Sequence, residues 1–128
     1  MALQYSVTLR TNRSAQFQTT VGAAGTLVIY SGAEPANCAA SNPSGTLATI
    51  NLPATFLASA SGAASLVGTW TVSGAAANGT AASFRIFDGS SNCHLQGNCT
   101  TDMVLSSNNI VSGSPVTITG FTITDGNA

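Results

Sequence analysis

The sequence predicts a mainly β fold, an antiparallel β-sandwich or jelly-roll-like arrangement with one short N-terminal helix, in a single domain over residues 1–128. Three observations lead there. Short runs alternate apolar residues with polar or β-branched ones, the pattern of half-buried strands. Clusters of Gly, Pro, Asn, Asp and Ser punctuate those runs at short intervals, as in sandwiches and barrels. The chain of 128 residues suits one domain and can bury roughly two thirds of its unfolded surface, so a metal or disulfide framework is not required for folding.

The first segment, residues 1–22, reads as an N-terminal arm or helix. Leu3, Tyr5, Val7 and Leu9 alternate as a strand would, whereas Leu9, Arg13, Phe17 and Val21 recur every four residues as on a helix face. The favoured reading is a helix from about Val7 to Thr20, stopped by Gly22 and Gly25. Thr26 to Tyr30 is a β-branched run closed by Ser31-Gly32, and a polar loop with Pro35, Cys38 and Pro43 follows to Gly45. Thr46 to Leu52 alternates until Pro53, which cannot donate to a sheet ladder. Ala54 to Ala64 reads as a loop or edge strand. Leu66 to Val72 puts Leu66, Gly68, Trp70 and Val72 on one face, with Trp70 in the core. Ala81 to Asp88 alternates Phe84 and Ile86 against Arg85 and Phe87 and ends at the Asp88-Gly89 turn. Short strands over His94 to Gly97 and Met103 to Leu105 lead to a last one, Val116 to Thr124, where Gly120 marks a bulge.

Charge is the most informative departure from ordinary composition. Only 5% of residues are charged, against about 25% in soluble domains, and lysine is absent. Three arginines cannot neutralise a phosphate backbone, so nucleic-acid binding is not expected. No apolar run approaches the length of a membrane-spanning helix, and Met1 to Ser6 lacks the basic-then-apolar pattern of a signal peptide, which favours synthesis in a cytoplasm. With a net charge of −1 and a surface of Ser, Thr, Asn, Gly and Ala, a lone monomer lacks the mutual repulsion that keeps proteins apart. That surface suits a subunit of an assembly or a sticky secreted protein.

No catalytic, cofactor-binding or metal site is expected. His94 is the single histidine, and its neighbour Cys93 points to the opposite face of a strand, so no nucleophile–base pair forms between them. Glu34, Asp88, Asp102 and Asp125 are scattered, and turn chemistry accounts for them. Three cysteines and one histidine lack zinc-module spacing. Cys93 and Cys99 would reach disulfide range if the residues between them form a tight turn; Cys38 is left over, or pairs with either, and three free thiols are the alternative. The glycosylation triplets at Asn12, Asn78 and Asn98 carry weight only on a secretory route.

Several stretches carry a family likeness: Gly25 to Gly32 (GTLVIYSG), Ala81 to Asp88 (AASFRIFD), Cys93 to Gly97 (CHLQG), Asp102 to Leu105, Asn109-Ile110, and Ser114 to Thr124 (SPVTITGFTIT) before Gly126-Asn127. In this order they resemble a family of small virion proteins encoded in tailed-bacteriophage structural gene regions. The resemblance spans most of the chain and its motifs are structural. It implies a β-sandwich-like domain that decorates or cements a capsid lattice as a small oligomer. The partners would be the major capsid protein and sister subunits. The protein would be assembled in the host cytoplasm and placed on the capsid surface. The cysteines are not features of that family. The N-terminal segment holds Arg10, Arg13 and Phe17, the residues expected at the interface with the shell or a sister subunit. The competing expectations are a tail or fibre component, a carbohydrate-binding adhesion module, and a secreted adhesin or pilin.

Overall fold

The computed structural model describes residues 4–60 and 63–124, so Asp125 and the Gly126-Asn127 end of the family likeness lie outside the described residues. Among the described residues one helix, α1 (Val7–Val21), precedes eleven strands. These are β1 (Thr26–Tyr30), β2 (Thr46–Asn51), β3 (Leu57–Ala60), β4 (Ala63–Leu66), β5 (Trp70–Val72), β6 (Gly79–Thr80), β7 (Ser83–Phe87), β8 (Cys93–Asn98), β9 (Met103–Leu105), β10 (Asn109–Ile110) and β11 (Val116–Thr124). The fold is mainly β and antiparallel, as the alternating runs predict.

The first sheet has the order β2-β1-β7-β8. Its register stacks Ile50, Leu27, Ile86 and Leu95 in one cross-strand row and Ala48, Ile29, Phe84 and Gly97 in the next. Same-face neighbours of this kind are the unit of sheet stabilisation, and both rows face the core. Gly97 is the floor beneath Phe84: a Cβ there would stand 2.7 Å from the ring, so no larger residue fits.

The second sheet is built on β11, with β3-β4 and β5 along one edge and β9 along the other. β4 and β5 are one strand interrupted. Ser65 pairs with Thr122 and Trp70 with Ile118, so five steps on that strand face four on β11. Gly68, at φ 75, absorbs the extra residue. Along the opposite edge the register slips between Ile118 and Gly120, which is the bulge expected at that glycine. The segment 54–64, readable as loop or edge strand, supplies β3, which lies at the edge of this sheet, and the start of β4, to which β3 pairs.

A single apolar cluster lies between the sheets in a sandwich-like arrangement. An aromatic chain ties the layers together. Phe17 of α1 meets Phe56 with ring centroids 6.1 Å apart, Phe56 meets Trp70 at 5.9 Å, Trp70 meets Phe121 at 5.4 Å, and Phe121 meets Phe84 of the first sheet at 5.9 Å. Mostly edge-on geometry suits the ring quadrupoles. Trp70 is fully buried, as expected, and its indole N–H donates to the Val67 carbonyl at 3.1 Å.

α1 begins where Ser6 Oγ accepts the Leu9 amide at 3.1 Å, an N-cap, and ends at Gly22 with φ 81. Its inward face is Ser14, Phe17, Gln18 and Val21, a spacing of three and four. Gln18 Oε1 accepts from the amides of Phe56 (3.1 Å) and Leu57 (2.6 Å), fastening the helix to the start of β3. The every-four spacing of Leu9, Arg13, Phe17 and Val21 does not describe that face. At 3.6 residues per turn each step of four overshoots by about 40°, so the row winds off the contact. Leu9 and Arg13 end outside. No helix among the described residues is long and apolar enough to cross a membrane.

Candidate functional site

The outer face of the first sheet collects most of the molecule's polar chemistry. Alternation along β7 sends Phe84 and Ile86 inward and Arg85 and Phe87 outward, yet all five residues of β7 are buried. The cover is the loop 31–45. Arg85, 2% exposed, holds it down. One guanidinium nitrogen, Nη1, donates to the Ala40 carbonyl (3.1 Å) and Asn42 Oδ1 (2.9 Å). The other, Nη2, donates to the Asn37 carbonyl (3.0 Å) and Gln96 Oε1 (3.1 Å). Gln96 Nε2 in turn donates to the Pro35 carbonyl at 2.6 Å. All four acceptors are neutral, so carbonyl dipoles stand in for a counter-charge, and Nε is buried with no partner among the described residues.

Two shallow clefts flank this tether and share Asn42, Phe87 and Ser91 as a common wall. One, of about 300 Å³, runs over the outward side chains Thr26, Val28, Tyr30, Thr46 and Thr49. Burial raises the Tyr30 phenol above its ordinary value, with the Arg85 charge working against that shift. The other, of about 330 Å³, is bordered by Cys38, Arg85, Asn92 and Cys93. The surfaces offered are hydroxyls, amides and thiols.

At the end of β7 the predicted Asp88-Gly89 turn is present. Asp88 Oδ1 accepts from the amides of Ser90 (2.9 Å) and Asn92 (3.0 Å), and Oδ2 lies 2.8 Å from His94 Nε2. The Asn92 amide and the His94 ring hold the Asp88 carboxyl well below the usual carboxylate range. Ser91, between those anchors, has φ 65, a left-handed conformation costing about 1 kcal/mol for a non-glycine residue. Asp102 closes the next turn by accepting the Asn98 amide at 2.8 Å. Both acids thus do the turn work expected of them. His94 is spent on Asp88, and among the described residues no hydroxyl or thiol is hydrogen-bonded to its ring. No group of three or more potential metal ligands gathers among the described residues.

Of the two alternatives for the cysteines, the Cys93–Cys99 bond is the one the structure does not show. Residues Cys93–Asn98 form a strand, not a turn. At about 3.3 Å per residue the two cysteines stand on the order of 20 Å apart, while a disulfide needs Cα atoms within about 7 Å. All three thiols are free. Cys99 is buried, and burial with the nearby Asp102 charge pushes its thiol up to about 12. Cys38 and Cys93 instead face the same cleft.

The three interface candidates on α1 fare differently. Phe17 turns inward, its ring edge-on to Phe56, and so serves the core. Arg13 lies at the surface with its guanidinium 4.7 Å from the centre of the Tyr5 ring, a cation–π contact. Arg10 is half-buried, and its carbonyl accepts the Ser14 hydroxyl at 3.1 Å. Among the described residues the exposed large apolar side chains are others: Val7 (56% exposed), Leu9 (43%), Val104 (60%) and Val111 (48%). Sequence reading did not single out Val7 and Leu9, because it placed the interface on Arg10, Arg13 and Phe17 instead.

Comparison of the sequence with models of known families and with curated proteins, and of the fold with solved structures, gives no match.

Proposed function

We propose that this chain is a non-catalytic structural subunit of a tailed-bacteriophage virion, a capsid decoration (cement) protein that stabilises the head by bridging capsomers. The observation that carries the reading is the surface. With 5% charged residues and no lysine, it is built from hydroxyls, amides and small side chains, a composition that favours contact with other subunits over isolation in water. The likeness of the Gly25 to Gly32, Ala81 to Asp88 and Ser114 to Thr124 stretches to small virion proteins supplies the kind of assembly.

A cement protein works by burying surface across seams between neighbouring capsomers. Standard interfaces bury about 800 Å² per partner, so a few such contacts per copy oppose the outward pressure of a packed genome. Val7 and Leu9, exposed beside Arg10 and Arg13 on α1, are the apolar anchors this reading assigns to the shell contact. A carbohydrate-binding role fits less well. Sugar sites present exposed rings, whereas Tyr30, Phe56, Trp70, Phe84, Phe87 and Phe121 are all buried.

The test is co-sedimentation of the purified protein with shells of the major capsid protein of the same virion, the partner this reading requires. Wild type is expected to load the shells. The double variant Val7→Asp, Leu9→Asp is expected to lose at least tenfold in occupancy with its melting temperature little changed, since both side chains are about half exposed and lie outside the core cluster. Wild-type protein that stays in the supernatant, or that loads isolated tails instead, overturns the decoration role.

A further inference from the structure

We propose that Cys38 and Cys93 are a disulfide-forming pair, and that their bond converts the loop 31–45 into a covalent strap over the outer face of the first sheet. This rests on geometry unrelated to the assembly reading.

Both cysteines border the cleft beside Arg85, and both are half-buried, within reach of a small oxidant. Each thiol lies within the electrostatic influence of the other. The loop carrying Cys38 is held on both sides of it. Gln96 grips the Pro35 carbonyl and Arg85 grips the Asn37 carbonyl before it, and Arg85 grips Ala40 and Asn42 after it. Asn37 Oδ1 adds a local turn by accepting the amides of Ala39 (2.9 Å) and Ala40 (3.1 Å). Cys93 is fixed by its place at the start of β8, opposite Phe87 and next to the register slip between Ile86 and Phe87. Two thiols pre-positioned by rigid neighbours lose little freedom when they bond.

The chemistry is thiol–disulfide exchange with a low-molecular-weight disulfide such as oxidised glutathione. Burial, followed by the neighbouring Cys38, pushes the Cys93 thiol up to about 12, which slows its attack at neutral pH. Cys38, half-buried at the cleft, attacks the oxidant as the thiolate, forming a mixed disulfide and releasing one thiol. Cys93 then gives its proton to solvent and attacks the Cys38 sulfur, releasing the second thiol. The protein loses two electrons and two protons in total, and the oxidant becomes two thiols. Cys99, buried at the far end of β8, takes no part.

The experiment uses the wild-type chain. It is incubated with excess oxidised glutathione at mildly alkaline pH, unfolded with an alkylating agent present, digested and mapped by mass spectrometry. The expected product is a Cys38–Cys93 cross-linked peptide with Cys99 alkylated. The intact protein should be 2 Da lighter before alkylation, and its melting temperature should rise on the order of 10 °C, reversed by a dithiol reductant. Cys99→Ala should still form the bond, and Cys93→Ser should stop at glutathione on Cys38. Persistent glutathione on Cys38 in the wild type would show that the second thiol cannot reach. Alkylated Cys38 and Cys93, or a bond from either to Cys99 or to a second copy, would equally overturn the pairing.

Discussion

Asp88 shows how much a single side chain organises here. Its two oxygens hold the amides of Ser90 and Asn92 and the ring of His94, and so they close the turn that aims β8 back along β7. Because those donors favour the ionised form, the folded-state pKa lies below the unfolded value of about 4. Stability from this group is therefore fully present above that value and is lost as pH falls through the folded pKa, deep in the acid range. The consequence is checked by melting wild type and Asp88→Asn across acid pH. The variant should be less stable at neutral pH, yet its stability should fall less steeply below about pH 4. Parallel curves would place the acid sensitivity elsewhere. Ser91 adds a second constraint at the same turn, since its positive φ is tolerated only while the anchors on either side hold.

At the scale of elements, the strap over the first sheet depends on Arg85. Replacing it with Met removes four charge-assisted hydrogen bonds, three to the loop and one to Gln96 on β8, while the cost of burying the cation also disappears. The net loss should be roughly 2–3 kcal/mol, read from the urea midpoint, and a protease should cut within residues 31–45 where the wild type resists. An unchanged midpoint with an intact loop would mean that other contacts hold the strap. Local pattern could not reveal this arrangement. Alternation correctly separated Phe84 and Ile86 from Arg85 and Phe87, and the runs at β1, β2, β7, β9 and β11 were readable because each one's β-branched or apolar spacing matches the strand period. The segment from Pro35 to Asn42 has no period at all, and its partners lie more than forty positions away. The same distance hid the approach of Cys38 to Cys93, while the short interval between Cys93 and Cys99 drew attention to a pair that an extended strand keeps apart. On α1 the elements were legible but the face was not, since Ser14 and Gln18 are polar and give no apolar signal for the side that packs.

For the molecule as a whole, the sandwich leaves few ionic groups with which to make external contacts. Two arginines on α1 and the exposed apolar pair Val7 and Leu9 are therefore competing carriers of any association with a larger assembly. Ionic strength separates them. Raising salt from about 0.05 M to about 1 M shrinks the screening length from above 10 Å to about 3 Å, which weakens exposed charge pairs and leaves apolar burial intact or strengthened. Arg13 already spends part of its charge on the Tyr5 ring, 4.7 Å away, and a net charge of −1 provides no long-range attraction to steer docking. Binding to shells should therefore change less than about twofold over that salt range when followed by co-sedimentation. A tenfold loss at high salt would transfer the contact from Val7 and Leu9 to Arg10 and Arg13, and with it the physical basis of association from apolar burial to ion pairing.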